Sequence, residues 1–289
     1  MIRRLILHAG TEKTGTTALQ LFLEAHAPDL AARGFAWPPT GEDYRRTGRF
    51  PKHRWLIEAL MAATPERLEG EFERALAAAP AGTHTLILSD EALYGDWPHA
   101  TPAGRAALAT LARRFETELW VWFREPLAYA ASQYVQMLKN PQGGPPGNGR
   151  DLPIDDAIEL PWFRSRLDYI GFVRDLEAVL GAGKVRPFAY GGDAIAAFLA
   201  ALGVADLYVE PTSENRTVGE AGVAILRLLN RYDMDPAAKT AATRLVEGLD
   251  ALLPPRPLAL DETTRARIRE LTDPSLAALA QDYGVSFGS

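Results

Sequence analysis

The sequence predicts an α/β fold in which a central, mostly parallel sheet is flanked by helices, with helical additions at the C-terminal end. Three observations predict it. Short apolar runs recur at Leu5-Ile6-Leu7, Thr85-Leu86-Ile87-Leu88 and Leu119-Trp120-Val121-Trp122-Phe123, as buried strands require. Between them lie stretches whose apolar residues repeat at helical spacing. Beyond Glu210 the chain is rich in Ala and Leu and reads as mainly helical.

The elements follow in order. The first strand begins near Arg4 and runs into a Gly/Thr-rich turn. From Thr16 one helix is expected as far as Gly34, because Leu19, Phe22, Leu23 and Leu30 share a face and glycine is a natural stop. Phe35-Ala36-Trp37 reads as a short strand ended by Pro38-Pro39, and 40–51 as a polar loop. Lys52 to Ala63 and Pro65 to Ala79 read as helices, the second opening on a proline suited to a first turn. The strand at 85–88 ends in Ser89-Asp90-Glu91. A helix from Pro102 to Phe115 precedes the strand at 119–123, which ends in Arg124-Glu125-Pro126, and Pro126 opens a helix to Lys139. The Gly/Pro-dense segment 140–150 is either a mobile loop near the site or a plain surface excursion. Tyr169 to Leu180 is helical, Val185 to Ala189 the last strand and Asp193 to Leu202 the helix after it. The whole of 1–289 reads as one domain, with a helical extension from about 233.

Composition excludes several classes. The 289 residues contain no cysteine, so disulfides, thiolate zinc sites and cysteine nucleophiles are absent. The formal charge of −6 argues against a nucleic-acid or anionic-membrane surface, which needs a broad basic face. The N-terminal apolar run stops at His8, too short for a signal peptide, and nothing reaches the length of a membrane span. A cytoplasmic protein is expected.

His8-Ala9-Gly10-Thr11-Glu12-Lys13-Thr14-Gly15-Thr16-Thr17 joins a strand to a helix. Gly10 and Gly15 let the backbone curl close to a ligand. The amides of the turn and of the first helical turn then converge where the helix dipole favours negative charge. Thr16 and Thr17 add hydroxyl donors and Lys13 a mobile cation. A phosphate or sulfate ester is the natural ligand. The nucleotide-hydrolase loop GxxxxGK[ST] has its lysine after the second glycine; here Lys13 precedes Gly15.

GTEKTGTTALQ after a short strand resembles the 5′-phosphosulfate loop of sulfotransferases that use 3′-phosphoadenosine 5′-phosphosulfate (PAPS). VWFREPLAYAASQY resembles their second element, with Arg124 at a strand end and Ser132 two turns along the next helix. LSDEAL at Leu88 to Leu93 and Asn215-Arg216-Thr217 loosely resemble further elements of bacterial, carbohydrate-type members. The glycine-rich RKGxxG loop of the cytosolic small-molecule branch is not evident. The resemblance runs from about 4 to 232. It implies a P-loop-type three-layer fold and sulfuryl transfer from PAPS to a hydroxyl or amine of an acceptor, a carbohydrate or glycoconjugate.

In that reading the donor is held by Gly10, Thr11, Lys13, Thr14, Gly15, Thr16 and Thr17 at the 5′ end, and by Arg124 and Ser132 at the 3′-phosphate. Lys13 neutralises the bridging oxygen, and no metal is required. Glu91 is the first choice of general base, against a helix-start acid stabilised by the dipole. His8 is second, against a residue that merely hydrogen-bonds the loop. His53 and Arg49 are candidate acceptor contacts within a basic cluster (Arg45, Arg46, Arg49, Lys52, His53, Arg54), against a solvated charged loop. Trp37, Trp55, Trp97 and Trp162 either stack on sugar rings or pack in the core. Two rival readings remain: an ATP-using P-loop kinase or NTPase with Asp90 on magnesium, and a nucleotide-binding module without catalysis. Oligomeric state is left open.

Overall fold

β1 (Arg4–Gly10) is the central strand of a computed structural model that describes residues 1–12, 14–39, 51–62, 65–209 and 218–288. After it come α1 (Thr16–Ala25), α2 (Ala27–Ala32), β2 (Phe35–Ala36), α3 (Arg54–Met61), α4 (Pro65–Ala77) and β3 (Thr85–Ser89). The chain continues through α5 (Ala92–Asp96), α6 (Pro102–Ala112), β4 (Glu116–Phe123), α7 (Pro126–Lys139), α8 (Ile154–Ala157) and α9 (Pro161–Ser165). It ends with α10 (Tyr169–Leu180), β5 (Val185–Ala189), α11 (Ala194–Leu202), α12 (Glu220–Leu229), α13 (Pro236–Ala251) and α14 (Glu262–Tyr283). No described helix is long and apolar enough to cross a membrane.

The described strands form one parallel sheet in the order β2-β3-β1-β4-β5. Pairing of β1 with β3 sets His8 beside Ser89, and pairing with β4 sets Gly10 beside Trp122. The strand ends that carry the polar clusters are therefore neighbours. Alternation along β1 sends Ile6 and His8 to one face and Leu5 and Leu7 to the other. On the first face Ile6, Ile87, Trp120 and Trp122 pack against Leu19 and Leu23 of α1 and Phe198 and Leu199 of α11. On the second face α10 covers β4 and β5, and α5 packs on β1.

The chain divides into two compact units. The first holds the sheet and comprises Met1–Arg124, Tyr169–Pro211 and Ala278–Ser289; the second comprises Glu125–Asp168 and Thr212–Ala277. In the second unit, helix α7 is capped by side chains from the C-terminal region. The Leu138 carbonyl accepts from Asn230 Nδ2 at 3.0 Å and from Lys239 Nζ at 2.8 Å. Lys239 is buried, and that burial lowers its pKa. Asp151 is held by Arg227 at 2.7 Å and Arg231 at 2.9 Å.

Two expectations change. The helix expected from Thr16 to Gly34 is two helices, broken at His26 (φ −103°, ψ 17°). Pro28 explains the break, since it lacks an N–H and its ring would meet the carbonyl of Glu24 in a continuous helix. The 140–150 segment folds back on α7, where the Gly149 N–H donates to the Met137 carbonyl at 3.0 Å. Gly147, at φ +91°, lies so close to this core that a Cβ would sit 2.9 Å from Leu160 Cδ1.

Two glycines give opposite predictions. A Cβ on Gly104 would lie 2.2 Å from the Leu60 carbonyl oxygen, whereas one on Gly70, half-buried in α4, meets nothing within 4 Å. Gly104→Ala should lower stability by about 1–3 kcal/mol or more through overpacking. Gly70→Ala should raise it by up to about 1 kcal/mol through helix propensity. Urea unfolding of the two variants checks both signs.

Candidate active site

The loop after β1 is fastened to the end of β4. Thr11 N–H donates to the Trp122 carbonyl at 3.0 Å, and Thr11 Oγ1 accepts from the Arg124 N–H at 3.1 Å. Arg124 thus stands one hydrogen bond from the loop. Thr14 Oγ1 donates to the Thr11 carbonyl at 2.8 Å and lies 3.4 Å from Thr16 Oγ1, which closes the turn on itself. Gly10 and Gly15 are required here. A Cβ at Gly10 would meet Thr14 Oγ1 at 2.8 Å, and Gly15 has φ +72°. Thr17, half-buried, follows in the first turn of α1.

Helix α1 starts without the usual neutralising groups. Its N-cap is Gly15, no side-chain cap hydrogen bond forms, and its first turn carries no acidic residue. The amide end of a ten-residue helix is therefore left for an anion from outside. Tyr190 borders the loop: its hydroxyl would lie 3.6 Å from a Cβ on Gly15 and donates to the Gly192 carbonyl at 2.7 Å. Burial pushes that phenol above its usual range, while the nearby Arg124 charge pulls it down. Lys13, Arg45, Arg46, Arg49 and the Asn215-Arg216-Thr217 element lie outside the described residues.

Glu91 follows β3, the strand beside β1. Gln20 ties it to the loop's own helix. Gln20 Nε2 donates to Glu91 Oε2 and to Ser89 Oγ, both at 3.1 Å. Lys52 Nζ donates to Glu91 Oε1 at 2.8 Å and stands 3.8 Å from Asp90 Oδ1. Burial alone would raise the Glu91 carboxyl, but the Lys52 charge and the hydrogen bonds from Lys52 and Gln20 outweigh it and hold Glu91 below the usual glutamate range. Asp90 moves the other way, to about 6, through burial and the neighbouring Glu91 charge. Its Oδ1 accepts from the Ala92 N–H at 2.9 Å, an Asx turn that starts α5. Asp90 Oδ2 and Gln20 Oε1 are buried without a hydrogen-bond partner among the described residues.

Both histidines in this region are interior and neutral. His8 Nδ1 meets Ser89 Oγ at 2.7 Å, and its ring packs against Trp122 and Phe198. Ser89 Oγ also accepts from Gln20, so it links His8 to Gln20. Burial lowers the His8 pKa to about 4, against the opposite pull of Glu91. His53 has no solvent exposure. Its Nδ1 accepts from the Ser89 N–H at 3.0 Å, its Nε2 meets the Pro38 carbonyl at 3.2 Å, and Trp37 packs edge-on against its ring. With both nitrogens engaged, His53 latches the segment before α3 to the end of β3. Burial lowers its pKa to about 4 as well. Trp37, Trp55 and Trp97 are core residues.

Ser132 lies in the second unit, two turns into α7. Its hydroxyl is buried and has no hydrogen-bond partner among the described residues. A buried hydroxyl left unpaired suits a site completed by a ligand. Gln20, Lys52 and Tyr190 were not singled out as site residues by the sequence. Lys52 figures there only as a member of the basic cluster, and Gln20 lies one helical turn beyond Thr16. Among the described residues no cluster of His, Asp and Glu forms a metal site.

Similarity to known proteins enters at the level of the fold. A sulfotransferase from Alicyclobacillus acidocaldarius matches with a TM-score of 0.51 at 12% identity, over 99% of this chain and 98% of that one. A sulfotransferase domain from the curacin biosynthetic pathway matches with a TM-score of 0.35 at 13% identity, over 93% and 96% of the two chains. No family model matches the sequence, and no curated protein is similar to it. The first structure shows that the chain has a sulfotransferase-like fold.

The neutral histidines predict acid sensitivity. Each has a folded pKa near 4 against 6.5 for the free group. The folded state therefore binds fewer protons between those values, and the stability it holds above pH 6.5 is lost as pH falls towards 4. Each can contribute on the order of 3 kcal/mol over that window. Urea midpoints measured from pH 7 to pH 4 should fall steadily, and His53→Gln should flatten the fall.

Proposed function

We propose that this chain transfers a sulfuryl group from PAPS to a hydroxyl or amine of an acceptor, a carbohydrate or glycoconjugate. One observation carries the reading. The uncapped amide end of α1 and the backbone of Arg124 are joined through Thr11, so one loop serves an anion at each end of an adenosine bisphosphate. The fold likeness and the loop resemblance support it. The curl required at Gly10 and Gly15 and the unpaired Ser132 hydroxyl fit the donor.

In this proposal the amides from Lys13 to Thr17 and the hydroxyls of Thr16 and Thr17 hold the 5′-phosphate. Arg124 and Ser132 bind the 3′-phosphate, for which a guanidinium fork is suited. Lys13 neutralises the oxygen that bridges phosphorus and sulfur. That sulfur–oxygen bond breaks as sulfur bonds to the acceptor's oxygen or nitrogen, and adenosine 3′,5′-bisphosphate leaves. Glu91 takes the acceptor's proton. It is ionised at neutral pH, as a base must be, and Gln20 and Lys52 fix its two oxygens. We assign His8 to holding Ser89, and through it Gln20, rather than to proton transfer.

Mutations test the assignments. Arg124→Ala should weaken PAPS binding about 10- to 100-fold while changing adenosine 5′-phosphosulfate binding little, because one charged hydrogen-bond pair is lost. Equal losses for the two donors would remove Arg124 from the 3′-phosphate. Glu91→Gln should lower kcat about 10²- to 10⁴-fold with donor affinity intact. Lys13→Ala should abolish transfer from radiolabelled PAPS across an acceptor panel. Transfer surviving in Lys13→Ala would contradict the proposed chemistry.

A further inference from the structure

The second unit carries an apolar surface that the proposed reaction does not use. Ten large hydrophobic residues lie exposed among those described, and seven of them fall between Ile225 and Leu253. Ile225, Leu228 and Tyr232 form a stripe along and just past α12. Leu245, Leu249, Leu252 and Leu253 form another along and just past α13. Tyr232 is 64% exposed, Leu245 70% and Leu252 82%. Scattered exposed leucines are ordinary, but a contiguous set on one helical hairpin marks an interface.

Helix α13 shows the pattern most clearly. Lys239, Thr243 and Val246 are buried on its inner face. On its outer face Ala238, Ala241, Leu245, Gly248 and Leu252 are exposed, at alternating spacings of three and four residues. That is the spacing of a coiled-coil seam, on the side turned away from the helix's own unit. The seam alternates small and large residues, and a Cβ placed on Gly248 meets nothing within 4 Å.

We infer that this face is a homodimer interface in which α13 packs antiparallel against α13 of a second copy of the chain. Self-pairing is argued from the seam and from its area. A two-fold axis brings the same patch to both sides, so the patch must complement itself. In an antiparallel pair the alternating seam positions meet, which sets Leu245 opposite Ala241, and Gly248 opposite Ala238. The seven exposed side chains offer on the order of 800 Å² of apolar surface, the share that one partner gives to a standard interface. No charged residue occupies the seam itself.

Sedimentation velocity of the full chain from about 1 to 50 μM tests this, since typical interfaces of that size hold at micromolar concentration or below. The expected mass is twice 31.6 kDa. Leu245→Glu combined with Leu249→Lys should yield monomer with the same far-ultraviolet dichroism as the parent. Val209→Glu, at an exposed apolar residue in the other unit, should remain dimeric. A parent chain that sediments at 31.6 kDa throughout overturns the inference, including one that instead binds lipid vesicles or another protein as a monomer. A dimer that survives the double substitution in folded protein also overturns it.

Discussion

Thr11 makes the connection on which the candidate site depends. Its amide bonds to the Trp122 carbonyl in β4 and its hydroxyl to the N–H of Arg124, just past the strand end. That places the curled loop after β1 against the residue that ends the neighbouring strand. Parallel register does the same on the other side, where His8 pairs with Ser89 and brings Glu91 to the same end of the sheet. An open parallel sheet receives ligands at the C-terminal ends of its strands, and here the loop, Glu91 and Arg124 follow three adjacent ones. The site is thus a consequence of strand order more than of any single side chain.

Beneath that edge runs a buried polar network. Gln20 donates its amide hydrogens to Glu91 and Ser89, and the Ser89 hydroxyl meets His8 Nδ1. Burial among aromatic rings favours the neutral form of His8. His53 does the same work from the segment before α3. A buried network holds its geometry only while its members keep these protonation states. The orientation of Glu91 is therefore coupled to residues that never reach the surface.

Much of this was legible in the sequence, for physical reasons. Strands β3 and β5 and helices α7 and α10 were read closely because each has a clear period bounded by Pro, Gly or charged residues. The helix break at His26 was missed because Leu30 continues the apolar face of α1 across Pro28, so periodicity outvoted the backbone. The short helices α5, α8 and α9 were missed because four or five residues carry no period. In the site, the loop and Arg124 were visible as local motifs. Gln20, Lys52 and Tyr190 were not, since their roles depend on partners such as Glu91 and Gly15 that lie far away or come together only on folding. The interior place of His53 has no local signal either, since its backbone partner at Ser89 is thirty-six positions away.

The net charge of −6 conceals a local positive field made by the start of α1 and Arg124. Titration calorimetry of the purified chain with adenosine 3′,5′-bisphosphate, adenosine 5′-monophosphate and magnesium ATP tests the central claim most directly. The account predicts that the 3′,5′-bisphosphate binds at least about tenfold tighter than the other two, because one more phosphate meets Arg124. Magnesium ATP binding as tightly as the bisphosphate, or more tightly, would contradict it.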